Sequence, residues 1–173
     1  MQKTPHPHLV KLIERYPVLA AVQDQIADCF EHLLRTFEDG HRLYLCGNGG
    51  SAADADHIAG ELMKAFLLQR PLTDQQRQRL VQTCGQPQAQ ELADHICQGL
   101  PAISLTGHPA LATAMANDVG ATFTFAQQIQ VLGQAADSLL CLSTSGNAAN
   151  VIAAAQVARS LGMKVIGLTG ADG

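Results

Sequence analysis

Apolar positions along the chain follow two rhythms. Leu19, Val22, Ile26, Cys29, Phe30, Leu33 and Phe37 step by threes and fours, with Gln23, Asp24, Asp28 and Glu31 on the other face. Residues 18–38 therefore predict a long amphipathic helix that packs on a sheet or on another subunit, ended by Gly40 and preceded by a short helix over 8–15 that Pro17 interrupts. The second rhythm is the short continuous apolar run, at 43–46, 102–105, 137–142 and 164–168. Such runs predict strands, and the continuous one at 137–142 a buried parallel strand. Between them, helical spacing returns: Ala55, Ile58, Ala59, Leu62 and Phe66 predict a helix from Ser51 to Phe66, and further helices are expected at 109–116, 126–132 and 148–161, the last stopped by Gly162. Strands alternating with helices predict a parallel, right-handed βαβ sheet.

Residues 70–99 break the alternation. They are polar and Gln-rich, and Gly85 and Pro87 divide them into two predicted helices. Thr73-x-x-Gln76 is a capping signal for the first, and Leu92, Ile96 and Leu100 give the second one apolar face. The segment reads as a surface insertion whose glutamines form a solvated helix face.

Composition narrows the class. The chain has 173 residues, enough for one domain with a real core. A net charge of −4 argues against a nucleic-acid or membrane surface as main partner. Five cysteines, odd in number and without C-x-x-C spacing, read as reduced thiols of a cytoplasm. Residues 1–8 are not a signal peptide, no apolar run approaches the ~20 residues of a membrane span, and a soluble cytoplasmic protein is expected. His6-Pro7-His8 reads as a frayed terminal segment rather than a metal site.

The chemistry gathers where the first strand ends. Gly47-Asn48-Gly49-Gly50 leads into a helix that Ser51 is expected to cap, with Asp54 three residues on. Glycines admit a ligand close to the backbone, and the first turn of a helix offers free N–H groups and a positive dipole end, which suit an anion. A P-loop is excluded because its lysine is missing. Gly47-x-Gly49-x-x-Ala52 matches the dinucleotide fingerprint but lacks the acidic residue at the end of a second strand. Three readings stay open: a site for a phosphorylated small molecule, which is favoured, then a structural turn, then a dinucleotide site. A second loop, Ser143-Thr144-Ser145-Gly146-Asn147, also follows a strand and feeds a helix. Both loops are expected at one sheet edge, meeting over one crevice and offering hydroxyls and N–H groups to a phosphate. His57 and Glu61, four apart on one helix face, suit a divalent metal, a general base beside a bound sugar, or a plain exposed pair.

Taken together, CGNGGSAADADHIAGEL, AMANDVG, LSTSGNAANVI and MKVIGLTGADG resemble the sugar isomerase (SIS) domain, and within it the phosphoheptose isomerase family, from about residue 18 onward. The resemblance implies a three-layer α/β/α sandwich with a central parallel sheet, flavodoxin-like, as one SIS domain over 1–173. It implies isomerisation of sedoheptulose 7-phosphate to a heptose 7-phosphate, for heptose biosynthesis, by a zinc-containing homotetramer. Carried over residue by residue, Asn48, Gly49, Gly50 and Ser51 bind substrate, Asn117 and Asp118 contact the sugar, and Ser143, Thr144 and Ser145 hold the phosphate. His57 and Glu61 ligate zinc, Glu61 doubling as the base.

Three departures accompany the resemblance. Ala148 stands where the family has a further serine. The segment before the second strand is about twenty residues longer than in better-known isomerases. The family also continues into another strand and a helix carrying a Gln-Glu-x-x-His motif, with the remaining zinc ligands, so the resemblance implies a truncated or incomplete sequence and an uncovered edge at 165–168. Two other readings stay open: a non-catalytic SIS module, such as one that binds a replication initiator, and a sugar-phosphate sensor, for which no basic helix-turn-helix precedes residue 40.

Overall fold

The computed structural model describes residues 6–65 and 67–170, which fall into two compact units, one up to His41 and one from Arg42 onward. The first unit holds α1 (Pro7–Arg15), a 3-10 segment (Pro17–Val22) and α2 (Gln23–Glu38). His6 is not frayed: its Nδ1 accepts the His8 N–H at 3.3 Å and caps α1. The long helix starts at Gln23 rather than 18, because the stretch opens on Pro17 without any capping side chain and winds tightly first.

The second unit is built on four parallel strands, β1 (Leu43–Cys46), β2 (Ala102–Ser104), β3 (Ser138–Ser143) and β4 (Lys164–Thr169), in the order β2-β1-β3-β4. The helices between them are α3 (Gly50–Met63), α4 (Asp74–Cys84), α5 (Gln88–His95), α6 (Pro109–Asp118), α7 (Thr124–Leu132) and α8 (Ala149–Ser160). Strand alternation sorts the core. Tyr44, Cys46, Leu139 and Cys141 pack with Phe125 and Ile129 of α7 and Val151, Ala154 and Ala158 of α8. Leu43 and Leu45 point the other way, and α3 packs on β1, β2 and β3, burying Ala55 and Ala59. Small residues on the helices bring the layers close, and the result is the expected three-layer α/β/α sandwich.

Several boundaries differ from the sequence expectation. Helix α3 begins at Gly50, so Ser51 lies inside its first turn and caps nothing; Gly49, at φ 55° and ψ −120°, makes the sharp entry that only glycine takes easily. It ends at Met63, and Phe66 lies outside the described residues. Helix α6 runs through Asn117 and Asp118, expected in a loop, since the breaker Gly120 (φ 131°) comes two residues later. Asp137 precedes β3 instead of opening it.

The 67–99 excursion is tied at its neck. Arg70 donates to the carbonyls of Leu62 (3.0 Å), Lys64 (2.8 Å) and Gln98 (2.8 Å), capping the end of α3 and fixing the return of the chain. The Thr73/Gln76 capping box that opens α4 forms as expected. Strand β4 is a sheet edge among the described residues, with Leu168 59% exposed, as the sequence led one to expect.

Candidate functional site

The strand order reverses direction between β1 and β3, so the loops leaving their carboxyl ends run to opposite faces and open a crevice between them. Both loops singled out in the sequence start there. In the first, Gly47 is required by space: a Cβ would lie 2.7 Å from the Ser51 carbonyl oxygen. Gly49 and Gly50 face open space, and among the described residues their N–H groups meet no acceptor.

The second loop leaves β3 at Ser143, which is buried, while Thr144 and Ser145 are exposed. Gly146 (φ 66°) closes the turn, its N–H on the Ser143 carbonyl at 3.0 Å. Ser145 Oγ accepts the Asn147 N–H at 3.3 Å, which leaves the hydroxyl proton available to a ligand. From the β4 side, Gly170 donates to the Thr144 carbonyl at 2.9 Å. Helix α8 then begins, and the Ala149 and Asn150 N–H groups likewise meet no acceptor among the described residues.

Two hydrogen bonds join the loops. Asn48 Nδ2 donates to Asn150 Oδ1 at 2.9 Å, and Asn150 Nδ2 donates to Asn48 Oδ1 at 2.8 Å. Asn150 was not singled out in the sequence; the signal available was an amide one turn past the Ser-Thr-Ser-Gly loop. The β2 loop adds a third contact: the Thr106 hydroxyl donates to Asp56 of α3 and lies 2.8 Å from Ser104 Oγ. Hydrogen bonds from Ser104 and Thr106 hold the Asp56 carboxyl below the usual range, against a small opposing effect of burial.

Glu61 lies farther along α3. Its Oε1 pairs with Lys64 Nζ at 2.9 Å, while Oε2 is buried with no hydrogen-bond partner among the described residues. His57 is exposed one turn earlier on the same face. Among the described residues no group of three or more His, Cys, Asp or Glu side chains converges as a metal site. The structure thus sets Asn48 to Ser51 and Ser143 to Ser145 at the carboxyl ends of neighbouring strands, linked through Asn48 and Asn150, and puts His57 and Glu61 on the helix leading away from them. Asn117 and Asp118, hydrogen-bonded to each other at 2.7 Å, sit exposed at the far end of α6, with no hydrogen bond to either loop among the described residues.

A parallel sheet carrying these two loops over its switch point has the architecture of a SIS domain, and the family described as SIS domain matches residues 11–76 and 75–170. The phosphoheptose isomerase of Roseiflexus sp. (strain RS-1) is 41% identical over 143 residues, covering 83% of this chain and 59% of that protein. That of Aliarcobacter butzleri (strain RM4018) is 37% identical over 156 residues, covering 90% and 68%. A solved phosphoheptose isomerase from Neisseria gonorrhoeae superposes with a TM-score of 0.65 at 32% identity, over 96% of this chain and 70% of that one; another, from Francisella tularensis, gives 0.66 at 29% identity, over 97% and 78%. The chain belongs to the phosphoheptose isomerase family of SIS domains. It spans about three-fifths of the length of the first of these curated relatives.

Proposed function

We propose that this chain carries the substrate cradle and the base of a sugar-phosphate isomerase that interconverts sedoheptulose 7-phosphate and a heptose 7-phosphate in heptose biosynthesis. The observation that carries the reading is the pair of loops at the β1/β3 switch point, which are tied by the Asn48–Asn150 hydrogen bonds and carry N–H groups without acceptors among the described residues. Ser51, Ser143, Thr144 and Ser145 hold the phosphate with the backbone of Asn48, Gly49 and Gly50, and Asn117 and Asp118 are assigned to the sugar. Glu61 lies ten residues past Ser51, about 15 Å along the helix axis. Helical side chains lean back toward the N-terminus and shorten that span. A long-chain sugar phosphate fits the gap better than a triose phosphate.

The unpartnered Glu61 Oε2 is the proton acceptor. It removes a proton from the hydroxyl-bearing carbon beside the carbonyl to leave an enediolate, the hydroxyl proton passes from one oxygen to the other, and the base returns its proton to the former carbonyl carbon, exchanging ketose and aldose. His57 and Glu61 are donors of the kinds zinc takes and would fill two of its four positions. When bound, such an ion supplies positive charge beside the developing enediolate. The isomerase reading extends to a cytoplasmic homotetramer, for which the exposed Phe30 and Leu34 of α2 offer apolar packing surface. Among the described residues no helix is long and apolar enough to cross a membrane.

The test is solvent-deuterium incorporation into sedoheptulose 7-phosphate, followed by NMR with zinc present. Exchange at the carbons flanking the carbonyl, with appearance of the aldose, is expected. Tight binding without exchange would make the chain a sugar-phosphate binding module instead.

A further inference from the structure

We propose that Asn150 is a positioning residue, which fixes the orientation of the Asn48 amide and thereby the hydrogen atom that Asn48 offers to substrate. The inference rests on the phosphosugar reading of the crevice. A reciprocal pair of primary amides has no inherent polarity, since both members can be turned over together and make the same two bonds. Here the symmetry is broken by the backbone. The Val151 N–H, shared with the Ala148 carbonyl at 3.0 Å, donates to Asn150 Oδ1 at 3.0 Å, and an N–H cannot accept, so an amide nitrogen turned to that end would set donor against donor and the oxygen belongs there. Its nitrogen therefore faces Asn48 Oδ1, and the Asn48 nitrogen must donate back. The first turn of α8 thus decides which way an amide on the other loop points.

The consequence for a ligand is specific. An amide nitrogen carries two protons, and Asn150 takes one of those on Asn48. The other stays available in a fixed direction as a donor, which phosphate and sugar oxygens accept. Gly49 and Gly50, next in the chain, have no side chains to restrain Asn48, so without Asn150 the amide would have to be ordered at the moment of binding. The same two bonds, spanning 102 positions of sequence, also hold the β1–α3 loop and the start of α8 at one separation.

A double-mutant cycle on sedoheptulose 7-phosphate affinity, read by calorimetric titration, tests the assignment. Asn48→Ala and Asn150→Ala are each expected to weaken binding about tenfold, and the double variant no further than Asn48→Ala alone, because Asn150 acts through Asn48. A parent protein that binds no sugar phosphate would remove the phosphosugar reading and this inference with it. If the parent binds and Asn150→Ala binds equally well, or the double variant shows the two losses added, only the positioning role is overturned. Should Asn150→Ala fold poorly, Asn150→Asp keeps the oxygen facing Val151 and loses only the donor. Its charge effect is measured separately in the Asn48→Ala background. A ligand-free readout accompanies these: the Asn48 side-chain amide protons, assigned by their loss in Asn48→Ala, should exchange slowly with water in the parent and quickly in either Asn150 variant. Unchanged exchange would sink the proposal.

Discussion

The two ends of β1 and β3 treat polar groups in opposite ways. At the amino ends they are paired within the chain. Asp137 is 0% exposed, and its carboxylate accepts the Arg42 N–H at 2.8 Å and the Gln134 N–H at 3.0 Å. Its carbonyl takes the Lys164 N–H at 3.0 Å, and the Tyr44 hydroxyl donates to the Leu132 carbonyl at 2.8 Å. Burial first, then the charge of Asp137, pushes the Tyr44 phenol up, so it stays a neutral donor. At the carboxyl ends, the Gly49, Gly50, Ala149 and Asn150 N–H groups lack acceptors among the described residues, and Thr144 and Ser145 are exposed. Farther along α3, a buried carboxylate oxygen has no partner among the described residues. One edge pairs its polar groups within the fold, and the other leaves several without partners among the described residues, the kind of local cost that functional sites carry.

The sharpest way to break this comparison is Glu61→Gln. The amide has the shape of the acid without its basicity, so turnover should fall by about 100- to 10,000-fold, with substrate affinity and melting temperature near those of the parent. Parent-like turnover would show that the unpartnered oxygen is not the base. The counterpart at the other edge is Asp137→Ala, which takes the acceptor away from the Arg42 and Gln134 N–H groups and should cost about 1–3 kcal/mol in denaturant unfolding. Sugar-phosphate affinity per folded molecule should not change. A variant that lost affinity while keeping stability would mean that the two edges are not separate.

Smaller effects sharpen the picture of the binding edge. Gly47→Ala puts a methyl group against the Ser51 carbonyl, so the loop must shift; a loss of at least about tenfold in affinity is expected, with about 1–3 kcal/mol of stability. Ser51→Ala combined with Ser145→Ala removes two hydroxyls from a charged ligand. A calorimetric titration should show about a tenfold loss or more, without change in stability. Unchanged affinity would place the phosphate elsewhere.

What the sequence displayed and what it hid divide along the same line. The extent of β1, the Thr73/Gln76 box and the two loops are local patterns, set by residues within a few positions of one another. The start of α3 was missed by one residue because Gly49 takes a backbone conformation that a capping serine pattern does not reveal. Asn117 and Asp118 read as a loop because polar residues before a glycine resemble one, whereas the helix continues until Gly120 stops it. The Asn48–Asn150 pair and the bonds made by Asp137 depend on β1 lying beside β3, a neighbour relation between segments about a hundred positions apart. No periodicity records which amide meets which.

Asp56 gives the smallest expected effect, and it qualifies the comparison, since it lies on α3 near the binding edge yet is already paired. Hydrogen bonds from Ser104 and Thr106 favour its ionised form and depress its pKa. A depressed carboxyl stabilises the fold above its unfolded value, about 3.9, and that contribution disappears as pH falls through the lower folded value. Solvent exposure keeps the effect small. Melting temperatures followed from pH 7 down to about pH 3 should therefore fall more steeply for the parent than for Asp56→Asn, with the curves closest at the acid end. Parallel curves would mean that the Ser104–Thr106–Asp56 tie contributes nothing to the fold. In that case these groups would join the unpaired set at the carboxyl edge, free to turn toward a ligand, and the β2 loop would have to be counted as a third wall of the crevice.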